Sequence, residues 1–591
     1  MEHSIKANAT ERHMATWTPP PGSTWPTSNR LIRMFAGSSL RQDSGRCPYR
    51  TAMKARTGLR LPRGPLATYK TDPRETFNLG PTGTALDLIE HDGIEPEEAL
   101  GRALAATAEH PEADPGLTAW TRFAVEHFLR GRPRDLLPLA GTWIVVTKLE
   151  RQDARGAKRY EQCVWGRSYI SADGRVRELC VPVARHKDEL RSDRNADDDA
   201  DRADRAAAAY VVGFGHPYRL PGQRSWSSDA QPLQDAGEAA RSRPQEVRIS
   251  EVSCLDGTRR ELLRDSIAEI ERRYADHGAP QLTAAVSGNT FLPGNDCADC
   301  RYAPTCPALN RLGGILGIED DTKPRRSWSV TNGRSYMGRP GRDESCPARE
   351  RLRRLRLPDP EGRSLTPQVV RGHAVHAWIQ ERHENHPGVA CRPEDAPDGR
   401  TSWSVGRWTV PQEQAELGAQ MVAAHARHCP YRLSSVDEVI HERTLVLHDT
   451  AADVLVIAKT DMLYRDGPSW VYRETKTDAR RRPPMDTGTG IFRERPQLAL
   501  AVLLSTSSLV NDDTSGARVE LEVLGPAGGL TIIDPFDPEN RTAARQAIHE
   551  LSAAWHADTT APARPGAHCL TCDMAAWCRP IAPSELLAPE G

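Results

Sequence analysis

Six of the thirteen cysteines lie in two triplets that share the spacing C-x2-C-x5-C. The first triplet is Cys297, Cys300 and Cys306, and the second is Cys569, Cys572 and Cys578. Thiolates this close in sequence can all reach one soft metal centre. Because the spacing occurs twice, we expect two related units, each ending in a cysteine-bound metal or cluster.

Two carboxylates and a lysine form a second set of residues that could do chemistry. Residues 453–467 read as a β-strand ending in an Asp-Gly turn, and residues 469–477 read as the returning strand. Glu474 and Lys476 then share a face that Asp461 can reach. Carboxylates so placed can hold Mg²⁺ or Mn²⁺ for phosphodiester cleavage, with the lysine orienting water or stabilising charge. The alternative is a solvated polar hairpin, because E-x-K alone is common.

These residues resemble a known nuclease core. Asp461, followed by Glu474-Thr475-Lys476, resembles the D…(D/E)-x-K pattern of the PD-(D/E)XK nuclease superfamily. Gly372-x3-His376 resembles the helix-borne histidine of its RecB-like branch, which adds a metal ligand. Gln497 resembles the glutamine that follows the active lysine, although Ala501 stands where the family usually has an aromatic residue. The resemblance spans about residues 328–582 and implies metal binding by His376, Asp461, Glu474 and Thr475.

Each triplet can be joined by a fourth cysteine that lies earlier in the same half of the sequence. Cys346 with the second triplet resembles the iron–sulfur staple of AddB-type and CRISPR-adaptation exonucleases, in which four cysteines hold a [4Fe–4S] cluster. Cys47 with the first triplet would form an equivalent group. We call these groups the second and the first cysteine staple. Spacing alone leaves zinc open at both.

The first half retains the staple but lacks the acids and the lysine. Matching the Asp-Gly turns places Ser168 where Asp461 stands, with Val181 and Val183 opposite Glu474 and Lys476. Asp87 replaces His376. We therefore predict no cleavage there, and expect this copy to bind DNA or to pack against its partner.

The resulting fold prediction is α/β, with two restriction-endonuclease-like domains, each a mixed β-sheet flanked by helices and closed by a cysteine-ligated cluster. We predict a disordered N-terminus at 1–28, a degenerate copy at 29–317, a linker at 318–327 and the active nuclease at 328–591. The acidic, Ala-rich stretch from Asp188 to Ala209 reads as a solvated insertion or an exposed helix.

Composition limits the classes of partner. The net charge of −2 excludes a globally basic nucleic-acid coat, so DNA contacts must be local. Candidate phosphate contacts are Arg351, Arg354, Arg480 and Arg481, although a solvated charged face is the alternative. No apolar run long enough for a membrane span and no secretion signal are present, which favours a cytoplasmic protein. Cysteines outside the staples read as ordinary thiols: Cys163, Cys180, Cys254, Cys391 and Cys429.

These observations predict a metal-dependent DNA nuclease, an exonuclease more than an endonuclease, acting at single-stranded ends in repair or antiviral defence. No Walker A motif is present, so we expect a separate helicase or defence-system partner. Two alternatives stay open: a non-catalytic DNA-end-binding scaffold, and a zinc or iron–sulfur redox-responsive interaction protein.

Overall fold

The protein is a mixed α/β chain, seen in a computed structural model. The structure describes residues 17–25, 31–36, 46–61, 78–107, 114–148, 159–186, 199–220, 228–322, 326–338, 345–360, 365–480, 490–505, 507, 516–526 and 528–578. Helices flank several sheets in both halves, as the sequence predicts. In the described part of the chain, no helix has the length and apolar composition needed to cross a bilayer.

The first half alternates short strands with helices. Its elements are β1 (Leu31–Ala36), α1 (Pro48–Ala55), β2 (Arg56–Thr57), α2 (Gly80–His91), α3 (Pro96–Thr107), α4 (Pro115–Gly131), β3 (Leu137–Pro138), β4 (Thr142–Lys148), β5 (Arg159–Val164), β6 (Arg167–Ile170), β7 (Val176–Val183), α5 (Asp199–Phe214), β8 (His216–Arg219), β9 (Gln231–Pro232), α6 (Glu238–Arg241), β10 (Glu246–Ser253), β11 (Arg259–Ser266), α7 (Ile267–Arg273), α8 (Ala279–Ser287) and β12 (Asn310–Leu312).

The second half follows a similar course. Its elements are β13 (Ser327–Trp328), α9 (Val330–Met337), α10 (Pro347–Arg354), α11 (Pro367–Asn385), β14 (Trp403–Val405), β15 (Trp408–Val410), α12 (Gln412–His425), β16 (Val436–His441), β17 (Thr444–Asp449), β18 (Val454–Lys459), β19 (Met462–Asp466), β20 (Ser469–Thr477), α13 (Gly490–Glu494), α14 (Pro496–Ser505), β21 (Arg518–Leu524), β22 (Gly529–Ile533) and α15 (Pro538–Ala557). Short 3₁₀ turns at Asn295–Asp299 and Ala567–Thr571 carry the start of each cysteine triplet.

The two halves contain sheets with the same strand pattern. In the first half the order is β3-β6-β7-β10-β11, and in the second it is β16-β19-β20-β21-β22. In each sheet the third and fourth strands of this order run parallel, β7 with β10 in the first sheet and β20 with β21 in the second. All other neighbouring pairs in the two sheets are antiparallel. A helix crosses over between the parallel strands in each case, α5 in the first half and α14 in the second, as parallel pairing requires.

The acidic stretch was predicted to be a solvated insertion or an exposed helix, and the described part of it is neither. Helix α5 is the crossover helix of the first sheet, and Ala203, Ala206–Ala209, Val211 and Val212 are buried. Residues Ala206–Ala209 are consecutive and are buried all round the helix, and Asp204 is buried with them. Their small side chains let the helix lie close to its neighbours. Residues 187–198 of this prediction lie outside the described residues.

Chain segments near the ends of the predicted domains contact other parts of the protein. Trp17, inside the predicted disordered N-terminus, is buried with its ring centroid 5.5 Å from that of Tyr49 and the Arg56 guanidinium 4.0 Å from its ring centroid. Residues 1–16 and 26–28 lie outside the described part. Strand β12 pairs with β17 and β13 pairs with β18, so the chain around the predicted linker is built into a sheet of the second half.

Helices cover both faces of the second sheet. On one face, Leu463, Tyr472 and Leu521 pack with the apolar helices α14 and α15. On the other, Tyr464 and Val471 pack with α11 and α12. An apolar layer of helices therefore covers each face of the sheet, and solvent can reach polar residues at the ends of its strands.

Contacts between the halves are extensive and reciprocal. The first staple packs against Val446 and Leu455 of β17 and β18. Around the second staple, Trp577 packs edge-on against Trp120 of α4, with ring centroids 5.4 Å apart. Each staple thus rests on the opposite half of the chain.

Candidate active site

Asp461 lies where the chain leaves one sheet and enters another. The sequence predicts one strand over 453–467, but β18 ends at Lys459 and β19 begins at Met462 in a different sheet. Thr460 donates its backbone amide to the Arg443 carbonyl at 2.9 Å, which bends the chain at this point. The predicted returning strand, β20, is confirmed, and its Thr475 amide donates to Asp461 Oδ2 at 2.8 Å. The backbone therefore fixes the orientation of the carboxylate.

Glu474 and Lys476 share one face of β20, as alternation requires. Lys476 Nζ lies 2.5 Å from Glu474 Oε1 and 3.2 Å from Asp461 Oδ2. Glu474 is buried, whereas Asp461 and Lys476 are half-buried. The structure thus brings the three residues together in one cluster open to solvent on one side.

Burial controls the protonation of this cluster. It raises the pKa of Glu474 to about 7, assisted by the nearby Asp461 charge and opposed by Lys476. Burial alone would lower the pKa of Lys476, but the Glu474 and Asp461 carboxylates raise it above its usual value. The lysine therefore stays charged, while Glu474 titrates near neutral pH.

His376 approaches the cluster from helix α11. Thr366 caps this helix by accepting the Val369 amide at 3.4 Å, and Pro367 occupies its first turn. Ligand atoms of His376, Asp461 and Glu442 all lie within 4.8 Å of one another. Burial chiefly lowers the pKa of His376, which favours the neutral, metal-binding imidazole.

Glu442 is a candidate ligand that the sequence analysis missed. It lies between β16 and β17, adopts a left-handed backbone (φ 53°), and its amide donates to the Asp461 carbonyl at 3.3 Å. Lys459 forms an ion pair with it. Glu442 lies outside the D…(D/E)-x-K pattern, which contains Asp461 and Glu474. Its position just before the strands β17 and β18 is the one feature of the sequence that could have suggested a role for it.

The other residues predicted for the site are not among those that the structure brings together with Asp461, Glu474 and Lys476. Gln497 is half-buried at the second position of α14, and Ala501 is fully buried on the same helix. Arg351 Nε lies 3.0 Å from Asp114 Oδ2 and Arg354 Nη2 lies 3.6 Å from Glu350 Oε2, so ion pairs hold both guanidinium groups inside the protein. Arg480 is exposed beside Asp478, and Arg481 lies outside the described residues.

This second half also matches a known family. Residues 343–579 match the family model of the PD-(D/E)XK nuclease superfamily. The match supports a nuclease, and it covers Asp461, Glu474, Lys476 and His376. It begins three residues before Cys346 and ends just after Cys578.

Similarity to individual proteins is weaker. A search of curated proteins found no match. The crystal structure of SSO0001 is 11% identical, with a TM-score of 0.23, covering 44% of this chain and 87% of that one. The crystal structure of a protein described as a candidate exonuclease from Eubacterium rectale is 13% identical, with a TM-score of 0.27, covering 45% of this chain and 94% of that one.

In the first half, an arginine network lies beside β6, which holds the place in its sheet that β19 holds in the sheet of the second half. Ser168 is buried on β6, the strand that corresponds to β19 in sheet order. The preceding Arg167 pairs with Asp87 at 2.5 Å and with Glu90 at 2.6 Å. Glu90 also accepts from Tyr169 Oη and pairs with Arg132, both at 2.7 Å. The guanidinium of Arg167 thus balances the charge of the Asp87 and Glu90 carboxylates.

The four cysteines of the first staple converge. They line one small cavity with Phe291 and Tyr302. Backbone amides point at two of the sulfurs, Leu292 N at 3.5 Å from Cys47 Sγ and Gly294 N at 3.4 Å from Cys297 Sγ. Burial, followed by the effect of the neighbouring thiols, raises the pKa of Cys297 to about 11.

Three cysteines of the second staple, Cys346, Cys572 and Cys578, lie near one another or near the core around Trp577. Cys346 is buried at the start of α10, and it contributes to raising the pKa of Cys572, whose main cause is burial. Cys572 and Cys578 pack beside the core that contains Trp577. In the described part of the chain, neither staple belongs to a group of ligand atoms that all lie within 4.8 Å of one another.

Proposed function

We propose that residues 328–591 form a metal-dependent nuclease that cleaves DNA. The observation that carries this proposal is the cluster of Asp461, Glu474 and Lys476, with His376 beside Asp461, inside the segment that matches the nuclease family model. A solvated polar hairpin would not bury Glu474 or hold a lysine between two carboxylates. The geometry therefore favours chemistry over a purely structural role.

Mg²⁺ or Mn²⁺ would be held by His376, Glu442, Asp461 and Glu474, with the Thr475 main chain next to them. Carboxylate oxygens and a neutral imidazole suit these ions. When bound, such an ion lowers the pKa of its water and offsets negative charge on a scissile phosphate. Lys476 has its ammonium group 3.2 Å from Asp461 Oδ2, where it can orient the attacking water or stabilise charge that develops on the phosphate.

The first half is proposed to be a second copy of the fold that no longer cleaves. The identical strand order and directions of the two sheets support a duplication. The Arg167 network supports the loss of metal binding, because a guanidinium already neutralises Asp87 and Glu90. Its remaining roles would be DNA binding and support of the active copy.

The substrate is proposed to be single-stranded DNA or DNA ends, with exonuclease action. The absence of a Walker A motif from the sequence suggests that unwinding would come from a separate helicase or defence-system protein. Arg480 is exposed near the end of β20 and is the predicted arginine best placed to contact phosphate.

A [4Fe–4S] cluster is proposed at each cysteine staple. The convergence of four cysteines and the backbone amides directed at sulfur support this assignment at the first staple. A cubane cluster also holds its thiolates farther apart than one tetrahedral ion does, in keeping with sulfurs that are not grouped within 4.8 Å. Anaerobic purification with iron, sulfide and zinc analysis tests this, and zinc without iron would refute it.

The nuclease proposal is tested with end-labelled single-stranded and duplex DNA, RNA and circular single-stranded DNA, each with Mn²⁺ or Mg²⁺. Lys476→Ala should abolish cleavage while retaining DNA binding. If wild type and Lys476→Ala are equally inert and bind DNA equally, the protein is a DNA-end-binding scaffold. Cleavage of circles would replace the exonuclease assignment with an endonuclease, and preferential RNA cleavage would replace DNA as the substrate.

A further inference from the structure

Four buried histidine and cysteine side chains meet between helices α11 and α12 and the strands β16 and β21. They are His383 near the end of α11, Cys391 in the following loop, His425 at the end of α12, and Cys429 in the turn after it. Their ligand atoms all lie within 4.8 Å of one another. Two thiols and two imidazoles in one buried cluster form the donor set of a structural zinc site.

The distances within this group fit one ion. His383 Nε2 lies 3.3 Å from Cys429 Sγ and 3.4 Å from Cys391 Sγ. His425 Nε2 lies 3.5 Å from His383 Nε2. Metal–ligand bonds of about 2.0–2.3 Å in a tetrahedron place neighbouring ligand atoms about 3.3–3.8 Å apart. The three separations from His383 Nε2 lie in this range, and the other pairs of ligand atoms lie within 4.8 Å.

Hydrogen-bond partners orient both imidazoles. His425 Nδ1 lies 2.9 Å from Glu522 Oε1, and His383 Nδ1 lies 2.9 Å from His441 Nε2. In each ring, Nδ1 is occupied and Nε2 points to the centre of the group. A carboxylate behind a metal-binding histidine is a common arrangement that fixes the ring and increases its basicity.

We propose that His383, Cys391, His425 and Cys429 bind one Zn²⁺ ion that has a structural role. With four protein ligands the site would be closed, which leaves no position for substrate or water. The proposal does not depend on cleavage, because it concerns a donor set separate from Asp461, Glu474 and Lys476.

The zinc site would brace the frame of the candidate active site. Helix α11 carries both His383 and, two turns earlier, His376. His441 adjoins Glu442 in sequence, and Glu522 Oε2 accepts from Thr475 Oγ1 at 3.4 Å. The ion would therefore tie α11, α12, β16 and β21 together behind the residues that would hold Mg²⁺ or Mn²⁺.

Metal analysis of the full-length protein, purified without added metal, tests the proposal. Wild type should contain about one zinc per chain beyond any metal in the staples, and Cys391→Ala and Cys429→Ala should each lose it. Cys254→Ala, a buried cysteine outside every group, is the matched control and should retain it. Iron content should be the same in all four proteins.

Two further measurements test the proposal even if the cysteine variants do not fold. Cobalt-substituted wild type should show the intense visible bands of a tetrahedral thiolate site. Glu522→Gln should retain the zinc but lose it to a chelator at about 10- to 100-fold lower chelator concentration. Equal zinc in Cys391→Ala and wild type would overturn the proposal. So would a Cys391–Cys429 disulfide in wild type, or loss of iron in place of zinc.

Discussion

Replacing Arg167 by Met should destabilise the first half strongly and leave cleavage unchanged. Glu90 has a fully buried side chain, and Arg167, 9% exposed, is one of its two charged partners. Breaking a buried ion pair by removing one partner costs about 3–5 kcal/mol. Arg132 and Tyr169 still contact Glu90 in the variant, so we expect the lower end, about 3 kcal/mol.

The loss of stability caused by Arg167→Met should also depend on pH. Burial raises the pKa of Glu90, but Arg167 and then Arg132 hold it below its usual value. In wild type, Glu90 therefore stabilises the fold above its unfolded pKa, and that stability is lost as pH falls through the folded pKa. Without Arg167 the pKa of Glu90 rises, and protonation removes the buried charge that Arg132 alone would then balance. The difference from wild type should be largest near pH 7 and shrink toward about pH 4.

Urea unfolding of the full chain at both pH values measures the effect. Arg130→Met is the matched control, because its partner Glu126 is exposed and the change should cost less than about 1 kcal/mol. Adding Glu90→Leu to Arg167→Met should recover most of the lost stability. A cost at pH 7 no greater than that of Arg130→Met would refute the idea that this network replaces a metal.

Three further outcomes are expected. Asp461→Ala should abolish cleavage of labelled DNA, because Asp461 belongs to the cluster with Glu474 and Lys476. Ser168→Ala should not change cleavage, and loss of activity in both variants would contradict the proposal that only the second half cleaves. Glu442→Gln should weaken Mn²⁺ binding about tenfold or more in a titration, whereas Glu438→Gln, exposed on the preceding strand, should have no effect. Trp577→Ala should lower the free energy of unfolding by about 3–5 kcal/mol in chemical denaturation, because its ring packs between the halves; an effect below 1 kcal/mol would show that this contact is weak.

The sequence predicts the local part of the site well. Alternation along one strand places Glu474 and Lys476 on one face, and the Asp-Gly turn places β19 beside them. These relations extend over few residues, so they can be read from spacing. Asp461 was assigned to the partner strand, although the structure places it at a break between two sheets. Apolar residues on both sides of Lys459, Thr460 and Asp461 read as one strand, so the change of sheet is not evident from the sequence.

Long-range relations could not be read in this way. Cys391 and Cys429 were interpreted as ordinary thiols because 37 residues separate them and their histidines belong to two different helices. Arg351 was a candidate DNA contact, but its partner Asp114 lies in the other half of the chain. The Ala-rich helix α5 begins with many charged residues, which suggested exposure, although Ala206 to Ala209 and the two valines after them are buried. Each case depends on tertiary neighbours that composition does not reveal.

The packing of each cysteine staple against the opposite half makes the two halves comparable to the subunits of an obligate heterodimer. A half expressed alone would expose the apolar surface that its partner now covers, around Val446 and Leu455 on one side and Trp120 on the other. Such surfaces promote aggregation. Covering the apolar surface of the second half would then be a sufficient reason to retain the first half, whatever else it does.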